Sequence, residues 1–167
     1  FNRMALSMLP ALRKRVESAA DPLGLAARFA IAGNVIDMGV NVGLTEKEAR
    51  LSVDRALSEP FVGDIEGFRR AVAEARSILY LADNAGEIVF DRLLIERLPL
   101  ERVVVAVRGF PVINDATMID ARVAGLDELV EVIDNGSDAP GTILADCSPE
   151  FRRRFAEADL ILAKGQG

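Results

Sequence analysis

Apolar residues recur every three to four positions along the first 75 or so residues of the chain, and from residue 77 they gather instead into short continuous runs. The first pattern predicts helices over 4–19, 23–38, 45–57 and 65–75. Start and stop signals agree: Asp21-Pro22 suits an N-cap and first helical position, Thr45 with Glu48 makes a capping box, and Gly43 marks a stop. The second pattern predicts strands over 77–82, 102–107, 129–133 and 159–163, separated by helical stretches over 86–98, 115–124 and 149–157. Strands alternating with helices predict an α/β fold with a parallel sheet and right-handed crossovers. Two regions follow, a helical one over 1–76 and an α/β one over 77–167. No internal repeat or low-complexity segment interrupts them.

In such a sheet the loops after the strands gather at one edge, where open parallel sheets bind ligands. The first loop reads Asp83-Asn84-Ala85-Gly86-Glu87 and the second runs from Arg108 through Asn114 and Asp115 to Thr117. The third holds Asp134, Asn135, Gly136, Ser137 and Thr142, and the fourth is Lys164-Gly165-Gln166-Gly167. Carboxylate and amide oxygens from two loops can coordinate one hard cation, which leaves water positions for a phosphate to fill. Ser137, Gly136 and glycine-rich backbone N–H groups suit the phosphate, with Lys164 as its point charge.

Composition restricts the chemistry further. The 167 residues, half of them hydrophobic, suffice for one domain or a domain with a helical annex. A net charge of -6 and a pI near 4.8 argue against nucleic acid as partner. The one basic cluster, Arg152-Arg153-Arg154, reads as a solvated helix face. No apolar run approaches the roughly 20 residues of a membrane span, and no basic-then-apolar leader opens the chain, so a cytoplasmic location is expected. With no histidine and one cysteine, Cys147, there is no imidazole catalysis and no internal disulfide. Cys147 is expected as a small buried apolar residue. A start at Phe1 and a stop directly after a predicted strand suggest a piece of a longer protein.

Each feature also has a plainer account. Asp83-Asn84 and Asn114-Asp115 suit helix caps, Asn135-Gly136 is a common turn dipeptide, and Lys164 suits a solvated strand end. In the helical region, Gly33-Asn34 interrupts an apolar helix at a cost of about 1 kcal/mol for the glycine. Either Gly33 allows close helix packing, or Asn34 reaches the sheet edge and touches substrate, with Asp37 one turn on. Convergence of four loops on one edge favours the site over the caps.

The segments AGNVID, LADNAGEIVFDRLLIE, VRGFPVINDATMIDA, DNGSDAPGT and LAKGQG together resemble the metal-dependent damage-control phosphatase family, over nearly the whole chain. The resemblance implies a helical region beside a Rossmann-like sheet and hydrolysis of phosphate monoesters of small metabolites. It implies a divalent cation, Mg²⁺ or Mn²⁺, with Co²⁺ or Ni²⁺ as alternatives, held by Asp83, Asn84 and Asp115. It matches Ser137 and Lys164 to phosphate-holding positions and Asn34 to a substrate-facing one, with Glu87 and Arg108 in support. Since Asp83 matches a ligand, water rather than Asp83 is the expected attacking group. Two alternatives stand beside this expectation: a non-catalytic phosphometabolite-binding module, and a Rossmann-like methyltransferase. Substrate identity and oligomeric state stay open.

Overall fold

The computed structural model describes residues 2–40 and 46–165, with backbone alone for 35–40 and 46. Four helices come first: α1 (Asn2–Glu17), α2 (Pro22–Val40), α3 (Glu46–Ser58) and α4 (Ile65–Glu74). Then follow β1 (Ile78–Leu81), α5 (Glu87–Ile95), β2 (Val103–Val107), α6 (Met118–Val123), β3 (Glu131–Asp134), α7 (Pro149–Glu157) and β4 (Leu160–Ala163). Asp21 accepts from the Gly24 N–H at 3.0 Å, so the predicted cap of α2 is present. Gly43 and Thr45 lie outside the described residues.

The sheet is parallel throughout, in the order β3-β2-β1-β4. Both its faces are covered, so successive strand residues bury in opposite directions. Ile78 and Tyr80 of β1, with Val103, Val105 and Val107 of β2, join the larger core, which also takes in α1 to α6. Leu79, Leu81 and Ala106 face the other way, onto Phe151 of α7 and Cys147. Helices α5 and α6 therefore pack on one face and α7 on the other. The chain winds outward from β1 through β2 to β3, then crosses beneath the sheet and emerges on the far side of β1 as β4. That reversal makes the carboxyl ends of β1 and β4 a topological switch point, where a crevice opens.

The helical region is not a separate body. Gly33 of α2 lies against α5, where an added Cβ would meet Phe90 Cβ at 3.1 Å and Glu87 Cγ at 3.2 Å. The glycine thus serves close packing, as one of the two sequence-based accounts expects. Asn2 at the start of α1 accepts from the Gly86 N–H at 2.7 Å and donates to Asp120 at 2.8 Å, tying the starts of α5 and α6 together. Among the described residues no helix is long and apolar enough to cross a membrane.

Candidate metal and phosphate site

The loop after β1 is held as a short piece of extended chain against the loop after β2. Asn84 and Asp115 form an isolated antiparallel bridge, with the Ala85 N–H donating to the Asn114 carbonyl at 2.8 Å. The Ala116 N–H donates to the Asp83 carbonyl at 2.7 Å. Backbone pairing therefore fixes Asp83, Asn84 and Asp115 in one register.

This arrangement overturns both capping accounts. Helix α5 has Gly86 at its N-cap, with φ 85° and no side-chain cap. Helix α6 begins three residues after Asp115, where Thr117 and Asp120 make a capping box. The chain between Val112 and Asp115 is instead a turn closed by the Asp115 N–H on the Val112 carbonyl at 3.0 Å. Ile113 in that turn has φ 50°, a strained value for a β-branched residue. Neither acid caps a helix, so both are left for other work.

Each candidate ligand has a side chain held from behind. The Asn84 amide donates to Asp83 Oδ2 at 2.9 Å and to Glu87 Oε2 at 3.3 Å. With the nitrogen so engaged, its oxygen is the end left to accept or to coordinate. Asp115 accepts from Arg108 Nε at 2.5 Å, and the same guanidinium donates to Thr142 Oγ1 at 3.1 Å. Arg108 is buried and Asp115 half-buried, with side-chain exposures of 4% and 8%. Burial, then the nearby Glu87 and Asp115 carboxylates, push the Asp83 carboxyl above its ordinary value, against the opposing pull of Arg108 and Lys164. Excess negative charge at a half-buried point is the condition a cation relieves. Two carboxylates and an amide oxygen are a hard donor set that fits Mg²⁺ or Mn²⁺. Among the described residues no three acidic, histidine or cysteine side chains gather as a ligand cluster, so Asn84 is needed to make three donors.

Lys164, at the end of β4, is neither a solvated charge nor a free one. Its ammonium donates to Glu87 Oε1, to Asp91 Oδ1 at 3.0 Å and to the Ala30 carbonyl of α2 at 2.9 Å, using all three protons. Burial works against the charge, but Asp91 and Glu87 outweigh it and the pKa is raised. Gly165 follows with φ 67°, and a Cβ there would overlap the Asp83 carboxylate. The fourth loop is thereby brought onto the first. Gln166 and Gly167 lie outside the described residues.

The third loop approaches differently. Asp134 belongs to β3, so the loop starts at Asn135. The buried Asn135 side chain accepts from the Gly109 and Ser137 N–H groups, each at 3.0 Å, which fastens the third loop to the second. Gly136 and Gly109 touch backbone to backbone, a Cβ on Gly109 meeting Gly136 Cα at 2.7 Å. Ser137 is buried; its hydroxyl donates to Asp146 and accepts from the Ala139 N–H at 3.0 Å. In this state both Ser137 and Lys164 are committed to protein partners.

On α2, Asn34 is exposed and follows directly on Gly33. The side chain of Asp37 lies outside the described residues. Two smaller expectations hold. Cys147 is buried, burial raising its thiol pKa. Arg153 and Arg154 form a solvated face paired to Glu150, Glu157 and Glu131. Asn2 and Asp91 are the contributors that sequence reasoning missed, while Asn135 counts there only as a turn residue. Asp91 left a trace, as a second charge one turn after Glu87 on the buried face of α5.

Comparison with known proteins gives a consistent result. The family model described as "Damage-control phosphatase ARMT1-like domain" matches residues 1–167. A damage-control phosphatase of Archaeoglobus fulgidus is 38% identical over 169 residues, covering 98% of this chain and 58% of its own. A damage-control phosphatase of Pyrococcus horikoshii is 40% identical over 147 residues, 86% of this chain and 50% of its own. The crystal structure of a DUF89 family protein from Pyrococcus horikoshii superposes with a TM-score of 0.86 at 35% identity, covering 99% of this chain and 57% of that one. The chain thus spans little more than half the length of the relatives it matches.

Proposed function

The chain belongs to the damage-control phosphatase ARMT1-like domain family, and from that premise we propose that it contributes the cation and phosphate site of a divalent-metal-dependent phosphatase acting on phosphate monoesters of small metabolites. The observation that carries the proposal is the backbone-paired set Asp83, Asn84 and Asp115 at the switch point, with each side chain fixed from behind.

Asp83, Asn84 Oδ1 and Asp115 would hold the cation, Mg²⁺ or Mn²⁺ by its donor set. Such an ion, when bound, neutralises phosphoryl oxygens and eases the deprotonation of water. The chain's own residues do the rest. Arg108 keeps Asp115 in one rotamer and places positive charge beside the phosphoryl site. Glu87 and Asp83 decide which end of Asn84 faces the ligand. Gly165, lacking a side chain, lets the fourth loop close on Asp83. In the reaction the oxygen of a water molecule bonds to phosphorus as the ester P–O bond breaks, and the departing alcohol oxygen takes up a proton. Preorganised charge of this kind contributes several kcal/mol to such a barrier. Ser137, Gly136 and Lys164 enter as phosphate-holding groups only if the phosphate draws them from their present partners. Asn34 is assigned to the substrate's organic part.

Calorimetric titration of Mn²⁺ into the metal-stripped full-length protein tests the reading. We expect one site, lost in Asp83→Asn and in Asp115→Asn but kept in the surface control Arg153→Ala. Undiminished Mn²⁺ binding in both aspartate variants would remove the proposed ligands.

A further inference from the structure

Of the two acidic side chains on α5, Glu87 meets Asn84, whereas Asp91 touches no candidate ligand. Asp91 is wholly buried, and only one of its oxygens is used: Oδ1 accepts from Lys164 while Oδ2 has no hydrogen-bond partner. The Tyr80 hydroxyl, buried beside it and close enough to ease its charge, makes no hydrogen bond of good geometry either. A buried carboxyl half satisfied in this way destabilises a fold, and a buried ion pair is weak evidence of stability. Its neighbours on α5, Phe90 and Leu94, show that an apolar residue suits these surroundings. Packing therefore does not account for an aspartate here.

Hydrogen bonds do connect it to the site. Asp91 and Glu87 hold the Lys164 ammonium between them, and the Ala30 carbonyl takes its third proton. The other oxygen of Glu87 accepts from Asn84, which also donates to Asp83. A continuous chain thus runs Asp91, Lys164, Glu87, Asn84, Asp83. Were Asp91 uncharged, Lys164 would be left with Glu87 as its sole carboxylate partner. Both Glu87 oxygens would then be drawn to the ammonium, and the Asn84 amide would lose one of its two acceptors.

We propose that Asp91 is a positioning residue, which holds Lys164 so that one Glu87 oxygen stays free to orient the Asn84 amide with its carbonyl toward the ligand. The inference rests on the reading of Asp83, Asn84 and Asp115 as the cation site of a phosphatase. In the phosphate-free state it gives Lys164 a role through Glu87.

The test uses the full-length protein and its Asp91→Asn and Asp91→Leu variants, with three readouts. These are steady-state hydrolysis of p-nitrophenyl phosphate at saturating Mn²⁺, the thermal midpoint, and the side-chain amide NMR signals of Asn84 in the metal-free protein. Expected are a kcat lower by roughly tenfold or more, as for other residues that orient metal ligands, KM changed less than about twofold, shifted Asn84 signals, and a midpoint no lower than that of the parent. Unchanged kcat with unmoved Asn84 signals would overturn the proposal. So would a loss of kcat that only follows a fallen midpoint in both variants, since that is the mark of a structural role. If the parent protein hydrolyses nothing under any metal, the phosphatase reading fails by itself, and the Asn84 signals still decide whether Asp91 positions the amide.

Discussion

Asn84 donates in two directions at once, to Asp83 and to Glu87, and this fixes what a change at that residue should do. In Asn84→Asp the shape is kept, but the donor becomes a fourth carboxylate beside Asp83, Glu87 and Asp115. We expect the metal-free protein to lose about 1–3 kcal/mol, the usual cost of leaving buried polar groups without partners, and to recover in excess Mn²⁺. Thermal unfolding with and without the ion measures this. Gly165→Ala should act at the same scale by another route. It imposes a side chain on left-handed backbone and on space the Asp83 carboxylate occupies, so turnover should fall below a tenth of the parent's, roughly speaking, while the core is untouched. Much of this scale was hidden in the sequence. Asp83, Asn84 and Asp115 stood out as oxygen donors after strands, but their helix-cap account fell only with the backbone bridge. Lys164 was expected at the surface or on phosphate, because nothing in a linear reading brings Glu87, Asp91 and Ala30 to one ammonium.

Elements follow the hydrophobic pattern closely, because each is buried along a consistent face. β1 and β2 are runs buried on both sides, the edge strands β3 and β4 are less buried, and α7 starts at Ser148-Pro149, whose side-chain cap and N1 proline are readable directly. Helix α6 is the exception: expected over 115–124, it spans Met118–Val123. Its first three expected residues are taken by the bridges of Asp115 to Asn84 and Thr117 to Arg108 and by the Ala116 N–H on the Asp83 carbonyl, pairings between loops that leave no periodic trace. The contact of α2 with α5 depends on Gly33, and Gly33→Val should force the helices apart. Overpacking of this kind costs about 1–3 kcal/mol, and it should reach the site because the side chain meets Glu87. Urea unfolding measures the first effect, and Mn²⁺ affinity the second.

At the scale of the whole molecule, the order β3-β2-β1-β4 with helices on both faces places the loops after β1 and β4 side by side. Fold class was legible from the alternation of strands and helices, whereas strand order was not, since it depends on which way the chain crosses after β3. The unequal loops result: three reach the Asp83 region through direct contacts, while Ser137 is engaged with Asp146. The buried charges under the site should also set how stability varies with pH. Burial first, and Glu87 in addition, raise the Asp91 carboxyl from its ordinary 3.8 to about 6, against the pull of Lys164 and the Tyr80 hydroxyl. A raised carboxyl favours the folded state when protonated, so its contribution is present at low pH and is lost as pH rises through about 6. Asp91→Asn should therefore match the parent's thermal midpoint at about pH 4.5, where Asp91 is neutral, and exceed it at about pH 7.5. Scanning calorimetry at the two pH values reads the difference.

The most direct measurement is hydrolysis of p-nitrophenyl phosphate by the full-length protein after chelation and after return of Mg²⁺, Mn²⁺, Co²⁺ or Ni²⁺ separately, beside Asp83→Asn. The account predicts no turnover in chelator, turnover restored by at least one ion, and none in the variant under any of them. Turnover that persists in chelator, or an Asp83→Asn variant as active as its parent, would contradict it.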